Sequence, residues 1–317
     1  MSDNYSEHLG NGITCIDAGY IRPGMACFYL LRQGDECAII DTGISHSVVH
    51  LEQVMTTQGI SPEQVRYIIP THIHLDHAGG AGTMMRRFDQ AQLLVHPRGA
   101  RHLVDPERLL ASTQSVYGVD RFRELYGEIV PVEADRVVPV ADGEIFRVNG
   151  RALEIRHTRG HADHHVCVWD EYSRGWFSGD MFGISYHWFR FPAGSFVMPA
   201  TTPTQFDPEQ YLLSIDLLES YRPQRIYLTH YGELEYSGEL AALLARQVHE
   251  YPRLLGELAG DHTAMRNAIC DYSIGLLRRF DTGLEKNELE ELLAFDIDLN
   301  ARGVALWLQS QLKETLS

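Results

Sequence analysis

Thr71-His72-Ile73-His74-Leu75-Asp76-His77 is the stretch that decides how this chain is read. It follows an apolar run, Val65 to Pro70, and precedes Ala78-Gly79-Gly80. Side chains alternate along an extended segment, so His72 and His74 point to one side and can share an ion. Asp76 and His77 are adjacent and need a turn to converge; Gly79 and Gly80 ease the close backbone packing that such a turn requires. Burying these groups without partners costs roughly 1–3 kcal/mol each. Mixed imidazole and carboxylate clusters suit zinc and related ions. The economical arrangement is two ions side by side, one on the histidine pair and one on Asp76 and His77.

Further polar residues end short apolar runs downstream. His161 lies in Arg159-Gly160-His161-Ala162-Asp163-His164-His165, after an expected strand over 151–158. Asp180 ends Trp176-Phe177-Ser178-Gly179-Asp180, and His230 ends Ile226-Tyr227-Leu228-Thr229-His230. Strand ends present side chains on one edge of a rigid scaffold. Taken singly, each of these residues reads equally well as a loop residue.

Taken together with Asp41-Thr42-Gly43, the motifs fall in an order that resembles the metallo-β-lactamase-fold hydrolase superfamily over residues 12–232. The resemblance implies an α/β fold, a four-layered αββα sandwich, with a C-terminal helical extension. It implies that His72, His74 and His161 bind a first metal, that Asp76, His77 and His230 bind a second, and that Asp180 bridges both. Asp41 is expected to support the ligand loop. The implied cofactors are two divalent ions, Zn2+ first, with Fe or Mn as alternatives. Asp180 stands where true β-lactamases carry a cysteine ligand, and His74 where flavodiiron proteins usually carry glutamate. The subgroups left are glyoxalase-II-like thioesterases, lactonases and the quinolone-signal-response thioesterase type. The last has a Gly-His-x-Asp-x-His run similar to Gly160 through His165.

Composition narrows the function classes. The 317 residues carry a formal charge of -16, which repels a phosphate backbone, so no nucleic-acid partner is expected. Hydrophobic residues make up 44% and charged residues 22%, ordinary for a globular protein. No apolar run reaches the roughly 18 residues of a membrane span. The start, Met1-Ser2-Asp3-Asn4-Tyr5-Ser6-Glu7, lacks the basic and apolar parts of a secretory signal, and a cytoplasmic location is expected. Cys15, Cys27, Cys37, Cys167 and Cys270 show no close pairing, against a disulfide framework. Lysine occurs only at Lys286 and Lys313, which argues against Schiff-base chemistry.

The organisation reads as strands over 13–18, 26–32 and 37–41, a helix over 46–58, a strand over 65–70 and another over 92–96. Residues 97–127 read as helical. A second strand block covers 137–140, 144–148, 151–157, 165–169 and 175–178, followed by a helix over 208–221 and a strand over 225–229. The catalytic domain is expected over 1–236 and a small helical subdomain over 237–317. In the latter, helices are expected over 239–258, 264–280, 285–293 and 299–316, with Asp296-Ile297-Asp298 as a separator. This subdomain builds a pocket wall or a homodimer contact, or covers apolar surface.

The expected chemistry is hydrolysis of a small ester, lactone or thioester by a metal-bridging hydroxide. Asp76 is the candidate to take up the proton released. Tyr186-His187-Trp188-Phe189-Arg190-Phe191 begins six residues after Asp180 and is expected to line part of the cleft, favouring an apolar or aromatic acyl group. Tyr186 or Tyr231 is a candidate hydrogen-bond donor to the developing oxyanion, and Arg190 a candidate for a carboxylate or phosphate. His164 and His165 are expected to hydrogen-bond near the ligands rather than to ligate. The alternatives are a mononuclear iron oxidoreductase of the persulfide-dioxygenase kind and a signalling or binding protein with vestigial activity.

Overall fold

The computed structural model describes residues 5–201 and 203–315. They group into two compact units. The first runs to His157 and adds His164–Gly179 and Gln224–Glu235; the second holds Thr158–Asp163, Asp180–Pro223 and the chain from Tyr236 onward. The last junction falls between Glu235 and Tyr236, and 158–163 and 180–223 also group with the C-terminal helices.

The first unit begins with β1 (Ser6–Gly10), β2 (Ile13–Asp17), β3 (Cys27–Gln33) and β4 (Glu36–Ile40). Then come α1 (Val48–Thr57), β5 (Val65–Ile69), α2 (Leu75–Ala78), α3 (Ala81–Arg87) and β6 (Gln92–Val95). Helices α4 (Pro97–Val104), α5 (Glu107–Tyr117) and α6 (Val119–Tyr126) lead to β7 (Val137–Pro139). Strands β1 to β7 form one mixed sheet in sequence order, antiparallel up to β4 and parallel from β4 to β7. The parallel strands need crossover connections, and α1, α3 and the α4–α6 run supply them. Leu51, Val54 and Met55 of α1 and Met84 and Met85 of α3 share a core with Phe28, Leu30, Ile39, Ile68 and Leu93 of the sheet.

β8 (Glu144–Val148), β9 (Arg151–His157), β10 (Val166–Asp170) and β11 (Gly175–Gly179) start the second sheet. A short hairpin of the second unit, β12 (Arg190–Phe191) with β13 (Gly194–Ser195), intervenes. The sheet resumes after α7 (Pro208–Ser220) with β14 (Arg225–Leu228) and β15 (Gly232–Glu235), in the order β15-β14-β11-β10-β9-β8. Only the β11–β14 pair is parallel, so this sheet is also mixed. Tyr29 of β3 joins the two sheets. Its ring packs edge-on against Phe177 at 5.1 Å and Tyr227 at 5.7 Å, and its hydroxyl donates to the Leu228 carbonyl. β3, β11 and β14 thus share one packed interior.

The second unit is completed by α8 (Gly238–Gly256), α9 (His262–Leu277) and α10 (Lys286–Thr315). Asp207, Ser237 and Asp261 cap α7, α8 and α9 by accepting backbone N–H bonds. The separator expected at Asp296-Ile297-Asp298 does not exist: α10 runs unbroken through it. Aspartates leave helices when their carboxylates compete for local backbone. Here they are engaged elsewhere. Asp296 accepts from the Tyr186 hydroxyl at 3.1 Å, and Asp298 pairs with Arg302 at 2.9 Å and His262 at 2.9 Å. The Asp281-Thr282-Gly283 break does separate α9 from α10. Among the described residues, no helix is long and apolar enough to cross a membrane.

Candidate metal centre

Asp41 directly follows β4, is 1% exposed and organises the loop after β5. Its Oδ1 accepts the Thr71 N–H at 2.7 Å and the Thr71 hydroxyl at 2.9 Å. Its Oδ2 accepts the Thr229 hydroxyl at 2.6 Å and sits 2.9 Å from His77 Nδ1. One carboxylate therefore ties together the ends of β4, β5 and β14. The backbone at Asp41 has φ +57°, a left-handed geometry that aspartate adopts more readily than most side chains.

The hydrogen bonds fix which ring nitrogen faces the site. A carboxylate or carbonyl can only accept, so the nitrogen beside it carries the proton. His77 Nδ1 faces Asp41, and His230 Nδ1 lies 2.6 Å from the Met25 carbonyl. Both rings therefore turn Nε2 inward. Asp76 Oδ2 lies 3.4 Å from His230 Nε2 and 3.9 Å from His77 Nε2. Donor atoms of Asp76, His77 and His230 all lie within 4.8 Å of one another. Lone pairs converging on one point repel unless a cation joins them, so this donor set fits a divalent ion. His72 Nε2 and His74 Nδ1 approach to 2.8 Å, which fits a shared ligand for the histidine pair.

His161 and Asp180 belong to the second unit and follow the same logic. His161 Nδ1 lies 2.8 Å from the Ala200 carbonyl, leaving Nε2 3.4 Å from Asp180 Oδ2. Gly160 has φ +118°, and a Cβ there would lie 2.3 Å from the Tyr211 backbone. Glycine is thus required for the chain to pass the start of α7 and present His161. Tyr211 holds Asp180 by donating to its carbonyl at 2.8 Å. Gly179, with φ +50°, sits in the first unit, where a Cβ would lie 2.5 Å from Thr71 Oγ1 and 2.6 Å from His165 Nε2. His165 stacks on His72 with centroids 4.9 Å apart, and His164 Nδ1 accepts the Ile73 N–H at 3.5 Å.

The two tyrosines singled out in the sequence have carboxylate partners. Tyr186 is 1% exposed and donates to Asp296, while Tyr231 donates to Asp17 at 3.3 Å. Burial holds the Tyr231 hydroxyl far above the ordinary tyrosine pKa, so it stays protonated. Trp188 is half-buried and stacks on Tyr186 at 4.6 Å; Arg190 is also half-buried, and Met198 is fully buried. Asp17 was missed by sequence reasoning. It accepts the Gly19 N–H at 2.8 Å and the Gly24 N–H at 2.7 Å, shaping the loop whose Met25 carbonyl orients His230. Its only sequence signal is the Asp-Ala-Gly turn chemistry at a strand end.

Known proteins agree with this architecture. Residues 21–230 match the metallo-beta-lactamase superfamily. The metallo-beta-lactamase fold-containing protein ST1585 of Sulfurisphaera tokodaii is 26% identical over 226 residues, 70% of this chain and 78% of that protein. Its crystal structure covers 93% of this chain and 98% of its own, with a TM-score of 0.65 at 21% identity. The metallo-beta-lactamase family protein TTHA1429 of Thermus thermophilus aligns over 96% of this chain and 95% of its own, with a TM-score of 0.66 at 20% identity. The acyl-coenzyme A thioesterase MBLAC2 of Bos taurus is 24% identical over 191 residues, 55% of this chain and 65% of that protein, just under two thirds of its length. The matched span holds β3 to β14 and ends at His230, and the chain belongs to the metallo-β-lactamase superfamily, with its αββα fold and C-terminal helices.

Proposed function

We propose that the chain is a dinuclear metal-dependent hydrolase of a small thioester, ester or lactone with an apolar or aromatic acyl part. The carrying observation is the convergence of Asp76, His77 and His230, with both imidazoles turned inward by Asp41 and the Met25 carbonyl. His72, His74 and His161 are assigned to one ion, Asp76, His77 and His230 to the other, and Asp180 to both. A pair of divalent ions supplies an acidified water and an electrophile for the carbonyl oxygen. The acyl-coenzyme A thioesterase relative favours the thioester among the three substrate classes.

The protein's own groups do the rest. Asp76 keeps a partly exposed carboxylate, with 19% of its side chain accessible, and is assigned to take up the proton released as the new C–O bond forms. Tyr186 and Tyr231 are assigned to the walls rather than to the oxyanion, because their hydroxyls donate to Asp296 and Asp17. Trp188, stacked on Tyr186, is assigned to the acyl group. The test is hydrolysis of a panel of acyl-coenzyme A, aryl ester and lactone substrates by protein of known metal content. Turnover that needs metal and fails in Asp76→Ala supports the reading. Equal turnover by the chelated protein would overturn it, and a single iron with oxygen uptake would point to oxidoreductase chemistry instead.

A further inference from the structure

Helix α10 has two apolar lines. The inner one, Leu289, Leu293, Ile297, Ala301 and Val304, is buried. The outer one is Leu292, Phe295, Leu299 and Leu306, bounded by Glu288 and Lys313. The steps along it are four, three, four, seven and seven residues. At 3.6 residues per turn, these six positions stay within a sector of about 60°. Phe295 and Leu306 are each 40% exposed, Leu292 and Leu299 are half-buried, and Glu288 and Lys313 are exposed. A spacing of this kind keeps one seam facing a partner helix.

We propose that this outer face pairs with the same face of a second copy, antiparallel, about a twofold axis between Leu299 and Arg302. Charge selects the partner. The first half of the helix and its approach carry Glu285, Glu288 and Glu291, whereas Arg302 and Lys313 lie in the second half. Antiparallel self-pairing sets Glu288 against Lys313 and Phe295 against Leu306, each twice, as a twofold contact requires. A parallel pair would set like charges together. Lys313 has no ion pair among the described residues. Glu288 uses one oxygen to accept the Glu285 N–H at 2.8 Å, which leaves the other for Lys313 of the second copy. Arg302 is held by Asp298 at 2.9 Å, so its stem lies along the seam and covers Leu299 of the second copy.

One helix per copy places this contact near the small end of specific interfaces, about 1,200 Å² or less, so a concentration-dependent dimer is expected. Sedimentation of the full chain over a concentration series tests it, with circular dichroism and melting to verify folding. Leu306→Glu is expected to leave monomer throughout. Glu288→Lys and Lys313→Glu are each expected to weaken the dimer roughly tenfold, because two attractive pairs become repulsive. The double reversal is expected to restore it. A wild-type monomer at every concentration overturns the proposal, as does a dimer indifferent to these changes or a double reversal that stays weak. None of these readouts depends on hydrolysis.

Discussion

Asp41 Oδ2 sits 2.9 Å from His77 Nδ1 and thereby decides that His77 turns its Nε2 towards Asp76 and His230. The same carboxylate holds Thr71 and Thr229, so it sets the position of the ligand loops as well as the tautomer. Asp41→Asn keeps the shape and tolerates the left-handed backbone, but it replaces one acceptor by a donor. Metal affinity is expected to fall about 10–100-fold, the usual cost of losing a group that orients a ligand. Competition with a chromogenic chelator measures it, and unchanged affinity would contradict the role given to Asp41.

Asp180 is the shared ligand in the proposed set, and its Oδ2 is 3.4 Å from His161 Nε2. Protein purified without added metal is expected to hold close to two ions per chain, as a paired site requires. Asp180→Ala should lose much of one ion and nearly all turnover, and wild-type protein should melt at a lower temperature after chelation. Elemental analysis and thermal scans check these outcomes. Full occupancy with unchanged rate in Asp180→Ala would refute the bridge.

A second buried carboxylate makes a prediction about stability alone. Asp170, fully buried at the end of β10, pairs with Arg151 at the start of β9, Nε to Oδ1 at 2.8 Å, and also accepts the Ser173 N–H at 3.1 Å. Removing the cation strands the carboxylate in the core. Arg151→Ala is expected to cost about 3–5 kcal/mol in denaturant unfolding, with metal content unchanged in the folded protein. A loss below about 1 kcal/mol would mean that water or a rearranged neighbour replaces the guanidinium.

The strand blocks were legible because short apolar runs end in turn residues, and because His230 closes such a run while Asp76 and His77 lie in the polar loop and short helix that follow β5. What orients those residues was much less legible. The carbonyls of Met25 and Ala200 fix two imidazoles, and a backbone carbonyl leaves no mark in the sequence. Asp17 is distant from every motif and works through a turn. The unbroken α10 was misread for a related reason. Asp296 looked like a helix breaker, yet its carboxylate is taken by Tyr186, a partner 110 positions away. Local propensity cannot see an acceptor whose donor arrives from another part of the chain.

The formal charge of -16 opposes any polyanion. No appreciable binding to DNA or RNA is expected in a gel-shift assay at moderate salt. Submicromolar, salt-sensitive binding would mean that a local cluster of arginines outweighs the net charge.

Substrate preference is the sharpest remaining prediction. Both lysines, Lys286 and Lys313, lie in α10 and are exposed, and Lys286 is paired with Asp271 at 3.0 Å. Lysines free to grip glutathione are therefore scarce in the C-terminal helices, whose other basic side chains are arginines. Trp188, by contrast, offers a half-buried aromatic face backed by Tyr186, which Asp296 locks in place. Aryl or medium-chain thioesters, esters or lactones are expected to be hydrolysed faster than S-lactoylglutathione. Trp188→Ala should raise KM for the apolar substrate about tenfold, the equivalent of ~1.4 kcal/mol of lost contact, and leave a short acetyl ester nearly unaffected. Asp296→Asn, which loosens Tyr186 behind the indole, should move KM in the same direction by less. A kcat/KM highest for S-lactoylglutathione and indifferent to Trp188→Ala would remove the aromatic wall from the site and restore a glutathione thioesterase.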